Sequence, residues 1–183
     1  MTSSDEHLLE LALQGDDGSF GELVGRWQKR IFGFIRRYVG NSEDARDLTQ
    51  DTFAKAFQNL DRLSDPASFS SWVYKIALNE CRMRFRKEGK LRRTPYEDYL
   101  ESDQVEIDER TPERALAGKE EADALHRAFE RLPEEQKTVI LMKEYQGLKF
   151  HEIAEILEIP LSTVKSRMYL GLKTLRRLME NLR

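Results

Sequence analysis

The side chains best able to do chemistry in this chain gather in two basic stretches, and their types suit nucleic acid rather than catalysis. Near the C-terminus stand Ser162, Thr163, Lys165, Ser166, Arg167 and Lys173. Lys and Arg carry long donors for phosphates and the acceptor edge of guanine, while Ser and Thr hydroxyls serve either base edges or phosphates. Earlier in the chain, Lys75, Arg82, Arg84, Arg86, Lys87, Lys90, Arg92 and Arg93 are opposed only by Glu80 and Glu88. The sign then reverses from Tyr96 to Glu109, where seven carboxylates stand without a Lys or Arg. The net charge of −3 therefore hides local segregation, which suggests at least two differently charged partners. No Gly-rich phosphate loop, nucleophile elbow or metal-ligand spacing appears. Cys81 is the only cysteine, which excludes an internal disulfide, and His7, His126 and His151 are scattered. The expected mode of action is binding, with no cofactor, no metal, no enzymatic activity and no small-molecule substrate.

Elements must position these groups. Leu148 to Arg177 reads as two helices joined by a very short turn, the layout of a helix-turn-helix whose second helix enters the major groove. Its first helix spans Phe150 to Leu157, with Ile153, Ala154 and Leu157 on one face and Ala154 small enough for close helix crossing. Pro160 suits the first turn of the second helix. Val164, Met168, Leu172 and Leu175 form the expected buried stripe of that helix. Glu158 holds the turn position that often carries Gly, and a left-handed backbone there costs about 1–2 kcal/mol. An ordinary antiparallel helix hairpin is the competing reading.

The rest of the chain is also helical in pattern, and no strand or internal repeat is expected. A helix over Asp5 to Gln14 ends at Gly15. One over Ser19 to Val39 carries Phe20, Leu23, Val24, Trp27, Ile31, Phe34, Ile35 and Tyr38 at helical spacing and ends at Gly40. Ser42 is the expected N-cap of a helix to Leu60, with Glu43 and Asp44 in its first turn and Ala45, Leu48, Phe53, Ala56 and Phe57 buried. Asp65–Pro66 marks a turn. A helix from Phe69 to Gly89 buries Phe69, Trp72, Val73, Ile76, Ala77 and Met83, so Trp72 is expected in the core rather than stacked on a base. Residues 90–112 have little apolar content and read as linker. Thr111–Pro112–Glu113 starts a helix, and Leu132–Pro133–Glu134–Glu135 starts another that Gly147 ends, giving four helices in the C-terminal part. No segment approaches the ~20 apolar residues of a membrane span. The N-terminus MTSSDEHLL shows no secretory signal, so a cytoplasmic location is expected.

Two separated segments sharpen this reading. Glu43, Asp44, Ala45, Asp47, Leu48, Gln50 and Phe53 are followed by Phe69, Trp72, Ile76, Ala77 and Asn79. Near the C-terminus stands LPEEQKTVILMKEYQGLKFHEIAEILEIPLSTVKSR. In this order and spacing they resemble the extracytoplasmic-function group of bacterial RNA polymerase sigma factors. The resemblance implies an all-α fold of two small domains, residues 1–89 and 113–183, joined by an acidic linker over 90–112. It implies that Asp44, Asp47, Gln50 and Asp51 dock onto core RNA polymerase. It assigns minus-ten promoter DNA to Arg62, Ser64, Asn79, Arg82, Arg84, Arg86 and Lys87. Ser162, Thr163, Lys165, Ser166 and Arg167 would then read the minus-thirty-five element, and an anti-sigma factor is the implied regulator. The linker would lie in the polymerase cleft or act only as a tether. A stand-alone helix-turn-helix regulator and a sigma mimic that sequesters an anti-sigma factor are the alternatives.

Overall fold

A computed structural model describes residues 3–87, 124–125 and 127–180. The acidic linker and the helix expected to begin at Thr111 lie outside these residues, as do the basic residues Lys90, Arg92 and Arg93. The described residues are helical and contain no strand, in agreement with the all-α expectation. None of their helices is long and apolar enough to cross a membrane.

The N-terminal helices are α1 (Asp5–Leu13), α2 (Asp17–Val39), α3 (Ser42–Gln58) and α4 (Phe69–Lys87), with 3-10 turns at Leu60–Arg62 and Pro66–Ser68 between the last two. Each start has a local cause. Ser4 accepts the His7 N–H before α1, and Asp16 accepts the Gly18 N–H before α2, so carboxylate or hydroxyl oxygens satisfy donors that the helix leaves open. Asn41, rather than Ser42, caps α3 and accepts from the N–H groups of Glu43 and Asp44. Asn41 has extended backbone and points back over the helix start, whereas Ser42 is already inside the helix. Gly40 ends α2 at φ 85°, a left-handed conformation that glycine adopts without a Cβ clash. Arg26 ties α1 to α2 by donating to Asp5 at 2.8 Å and to the Ser3 carbonyl at 2.7 Å. Trp27 adds an indole hydrogen bond to Asp5 at 2.8 Å.

The core of this half is aromatic and aliphatic. Leu23, Ile31, Phe34 and Ile35 of α2 meet Ala45 and Ala56 of α3 and Phe69, Val73, Tyr74, Ala77, Leu78 and Cys81 of α4. Phe34 stacks edge-on against Tyr74 with centroids 5.4 Å apart, a geometry that aromatic quadrupoles favour. Two expectations need correction. Met83 is 42% exposed and Phe57 45% exposed. Both sit at the edge of their apolar stripe, and Phe57 covers Phe20 from outside at a 5.1 Å centroid separation. Tyr74, Leu78 and Cys81 fill the core instead. Glu80 of α4 is buried as well, where it accepts from Lys55 at 2.6 Å.

The C-terminal helices are α5 (Glu134–Ile140), continued by a wider π turn over Leu141–Tyr145, then α6 (Phe150–Leu157) and α7 (Leu161–Glu180). Residues 127–130 are helical as well. Pro133 and Pro160 both stand just before their helices rather than in the first turn. Lys137 is buried and neutralised by Glu130. Core positions of α6 are Ile153 and Ile156, with Ala154 and Leu157 only partly covered. Val164, Met168 and Gly171 are the buried positions of α7, while Leu172, expected inside, is 46% exposed. A Cβ on Gly171 would stand 2.9 Å from Ile140 Cδ1 and 3.2 Å from Gln136 Cβ. The closest approach of α7 to α5 is therefore at this glycine, and it turns the buried stripe away from Leu172.

The two groups of helices share one continuous core. The first helix of the turn motif, α6, lies along α4, and the π turn lies against α2.

Candidate nucleic-acid interface

The helix-turn-helix is formed as its residues demand. Glu158 adopts φ 54° and ψ 42°, the left-handed conformation expected at the turn. It is the one non-glycine residue with positive φ among the described residues. The carboxylate of Glu152 accepts from the Lys149 N–H at 2.5 Å and fixes the start of α6.

On α7, Ser162, Lys165, Ser166 and Lys173 are exposed and Thr163 is half-buried. Arg167 does not join this open face. It leans back onto α5 and pairs with Glu135 at 2.7 Å, leaving its side chain 25% exposed. The open face is completed by Tyr169, which is 68% exposed. It follows Lys165 and Ser166 at i+4 and i+3, so the three lie together. Sequence reasoning passed over Tyr169 because an aromatic beside the apolar stripe reads as core, although its offset from Met168 is the signal that places it outside.

The second basic set lies on α4 and the segment before it. Leu60 and Leu63 are buried and pin that segment to the bundle, while Asp65 holds its second turn by accepting from the Ala67 N–H at 3.0 Å. Arg62 and Ser64 are left exposed. On α4, Lys75, Asn79, Arg82 and Arg86 follow one another at i, i+4, i+7 and i+11 and form one face. Asn79, Arg86 and Lys87 are exposed. Arg84 points elsewhere and pairs with Asp44 of α3. This contact joins two residues that the sequence assigned to different surfaces. Trp72 is partly buried and packs on Phe69 at 6.2 Å.

A third surface is acidic. Asp47, Gln50 and Asp51 are exposed at i, i+3 and i+4 on α3, whereas Asp44 is half-buried by its pairing with Arg84. Beside Gln50, α2 and α3 leave a groove of about 460 Å³ lined by Gly25, Gln28, Lys29, Phe32, Arg46 and Thr49. Among the described residues no group of His, Cys, Asp and Glu is placed to hold a metal ion. The Cys81 thiol is fully buried, and burial pushes its pKa well above the ordinary thiol range.

These surfaces can be set beside those of known proteins. The family model of sigma-70 region 2 matches residues 23–91, and that of sigma-70 region 4 matches residues 122–175. The RNA polymerase sigma-H factor of Pseudomonas aeruginosa is 32% identical over 90% of this chain and 88% of its own length. The ECF RNA polymerase sigma-E factor of Haemophilus influenzae is 34% identical over 91% of this chain and 90% of its own. Among solved structures, CnrH in complex with the cytosolic domain of CnrY has a TM-score of 0.73 at 24% identity, covering 98% of this chain and 99% of that one. The sigma factor RpoE in complex with the anti-sigma factor NepR from Bartonella quintana has a TM-score of 0.65 at 20% identity, covering 88% and 96%. At those identities the two structures speak to the fold alone. With two region models matched in chain order and relatives aligned along most of its length, this chain belongs to the extracytoplasmic-function RNA polymerase sigma factors.

Proposed function

We propose that the chain acts by binding and not by catalysis, in the cytoplasm, as the promoter-reading subunit of RNA polymerase, with each task on one surface. The exposed face of α3, with Asp47, Gln50 and Asp51, docks onto the core enzyme. The segment from Leu60 to Ser68 and the Lys75–Asn79–Arg82–Arg86 face of α4 take the minus-ten element. Opening a duplex costs a few kcal/mol per extruded base, which a pocket and backbone neutralisation must offset. The exposed start of α7 reads the minus-thirty-five element. The division into residues 1–89, 90–112 and 113–183 belongs to this reading. So does control by an anti-sigma factor, a partner that RpoE of Bartonella quintana has in its solved complex.

One observation carries the reading most strongly: Asn79 and Arg86 stand exposed on one face of α4, next to an anchored loop, in a chain that also carries a formed helix-turn-helix. The test is run-off transcription with core polymerase on a mapped promoter, as duplex and as pre-melted template. Asn79→Ala should slow initiation on the duplex and be rescued on the pre-melted template. Asp47→Arg should fail on both, because like charges brought together at an interface cost several kcal/mol. Equal loss on both templates for Asn79→Ala would remove it from strand opening.

A further inference from the structure

The helix α1 precedes the residues that the sigma-70 region 2 model matches, and it carries none of the three binding surfaces. Its apolar side, Leu8, Leu9 and Ala12, is buried. Its first residue, Asp5, directs both carboxylate oxygens at α2. One accepts from Arg26 and the other from the Trp27 indole, each at 2.8 Å. Arg26 is held further by Glu22, which accepts from it at 2.5 Å, and by the Ser3 carbonyl. An indole that donates from its edge to a fixed carboxylate has little freedom to turn about its side-chain bonds.

The ring that Asp5 fixes leads to the minus-ten loop. Trp27 meets Phe69 edge-on with centroids 5.8 Å apart, and Tyr74 likewise at 6.3 Å. The Arg30 guanidinium lies over the Trp27 ring at 5.4 Å. Phe69 is buried and directly follows the turn Pro66–Ser68, to which it is tied by donating its N–H to the Pro66 carbonyl. The helix α1 itself also lies against that turn. The segment from Leu60 to Ser68 is therefore fixed at its start by Leu60 and Leu63, at its end by Phe69, and by α1 beside it. Arg62 and Ser64 stand exposed between these anchors.

We propose that α1 is a brace for the minus-ten loop, with Asp5 and Trp27 as positioning residues that act on base selection without touching DNA. The proposal rests on the loop being the minus-ten reader. A loop that must order itself around an extruded base loses conformational freedom at that moment, whereas a loop already held in shape does not. Side chains that read a base keep their aim only when packing and hydrogen bonds behind them are fixed. Asp5 supplies that support through Trp27 and Phe69, and α1 supplies it directly at Pro66–Ser68.

The test uses the full chain assembled with core polymerase. Affinity is measured for a fluorescent single strand carrying the non-template minus-ten sequence of a mapped promoter, and for a strand of the same composition in shuffled order. The ratio of the two affinities is compared for the parent, Asp5→Ala, Trp27→Phe and Glu22→Ala. Glu22→Ala also removes one carboxylate from Arg26 but leaves Trp27 and the turn alone. Asp5→Ala should lower the ratio about fivefold, within what one misread base position costs. Trp27→Phe, which keeps an aromatic ring and loses the indole donor, should lower it in the same direction, and Glu22→Ala should keep the parent ratio. Urea midpoints are recorded beside the ratios. A lowered midpoint with an unchanged ratio makes α1 a merely structural helix and overturns the brace. If Asp5→Ala does not fold, Trp27→Phe decides by the same ratio. An Arg62→Ala/Ser64→Ala chain is measured in parallel. If it keeps the parent ratio, the minus-ten reading of the loop falls and the brace falls with it. If it lowers the ratio while Asp5→Ala and Trp27→Phe do not, the brace alone is overturned.

Discussion

At the scale of single residues, two small side chains show how packing sets behaviour. Cys81 is fully buried, and its thiol is held protonated by burial. The thiolate is the reactive form, so an aromatic disulfide reagent at pH 8 should leave Cys81 unmodified in the native protein and react at once in denaturant. Rapid native labelling would mean that α4 opens easily. Gly171 lies where α7 crosses α5, with no room for a larger group. Gly171→Leu drives four carbons into Ile140 and Gln136. It should destabilise the chain by about 1–3 kcal/mol despite leucine's better helix propensity. A urea midpoint equal to that of the parent protein would contradict the packing.

At the scale of elements, α7 presents a face that differs from its composition. Lys165 is exposed, whereas Arg167 is engaged with Glu135. Lys165→Ala should therefore lower the slope of log affinity against log salt by about one unit on duplex carrying the upstream element. Glu135→Gln should release Arg167, raise affinity and steepen the slope. No change of slope in either variant would show that this face does not meet DNA. The helix itself owes its position to Gly171 and to the left-handed turn at Glu158. That turn is tolerated without glycine because α6 and α7 are fixed on both sides of it by Ile153, Ile156, Val164 and Met168.

At the scale of the whole molecule, the contact between Lys75 and Glu158 joins helices 83 positions apart in sequence. The hydrogen bond and charge of Lys75 hold the Glu158 carboxyl below its ordinary range. A lowered carboxyl pKa contributes to this contact fully above about pH 5, and that contribution fades as pH falls through the lowered value. Charge exchange gives an independent check. Lys75→Glu alone places two carboxylates together and should expand the molecule in small-angle scattering. Lys75→Glu/Glu158→Lys should restore the compact form. If the double variant stays as expanded as the single one, the pair does not hold the two groups of helices together.

The sequence by itself determined the helices, the turn and the family. Apolar residues recur at helical spacing, and glycines at 40 and 147 end helices where a positive φ is needed. Two motif groups stand in order along one chain. These are local signals: period, caps and short spacings are read within one or two turns. Tertiary structure decided which members of each stripe are covered. Met83, Phe57 and Leu172 have the right period but sit at the margin of their helices, and only the neighbouring helix shows where that margin falls. It also decided which charges are open. Arg84 with Asp44, Arg167 with Glu135 and Lys75 with Glu158 carry no mark in the sequence. An ion pair across helices depends on crossing angle and distance, which no spacing along a single helix encodes.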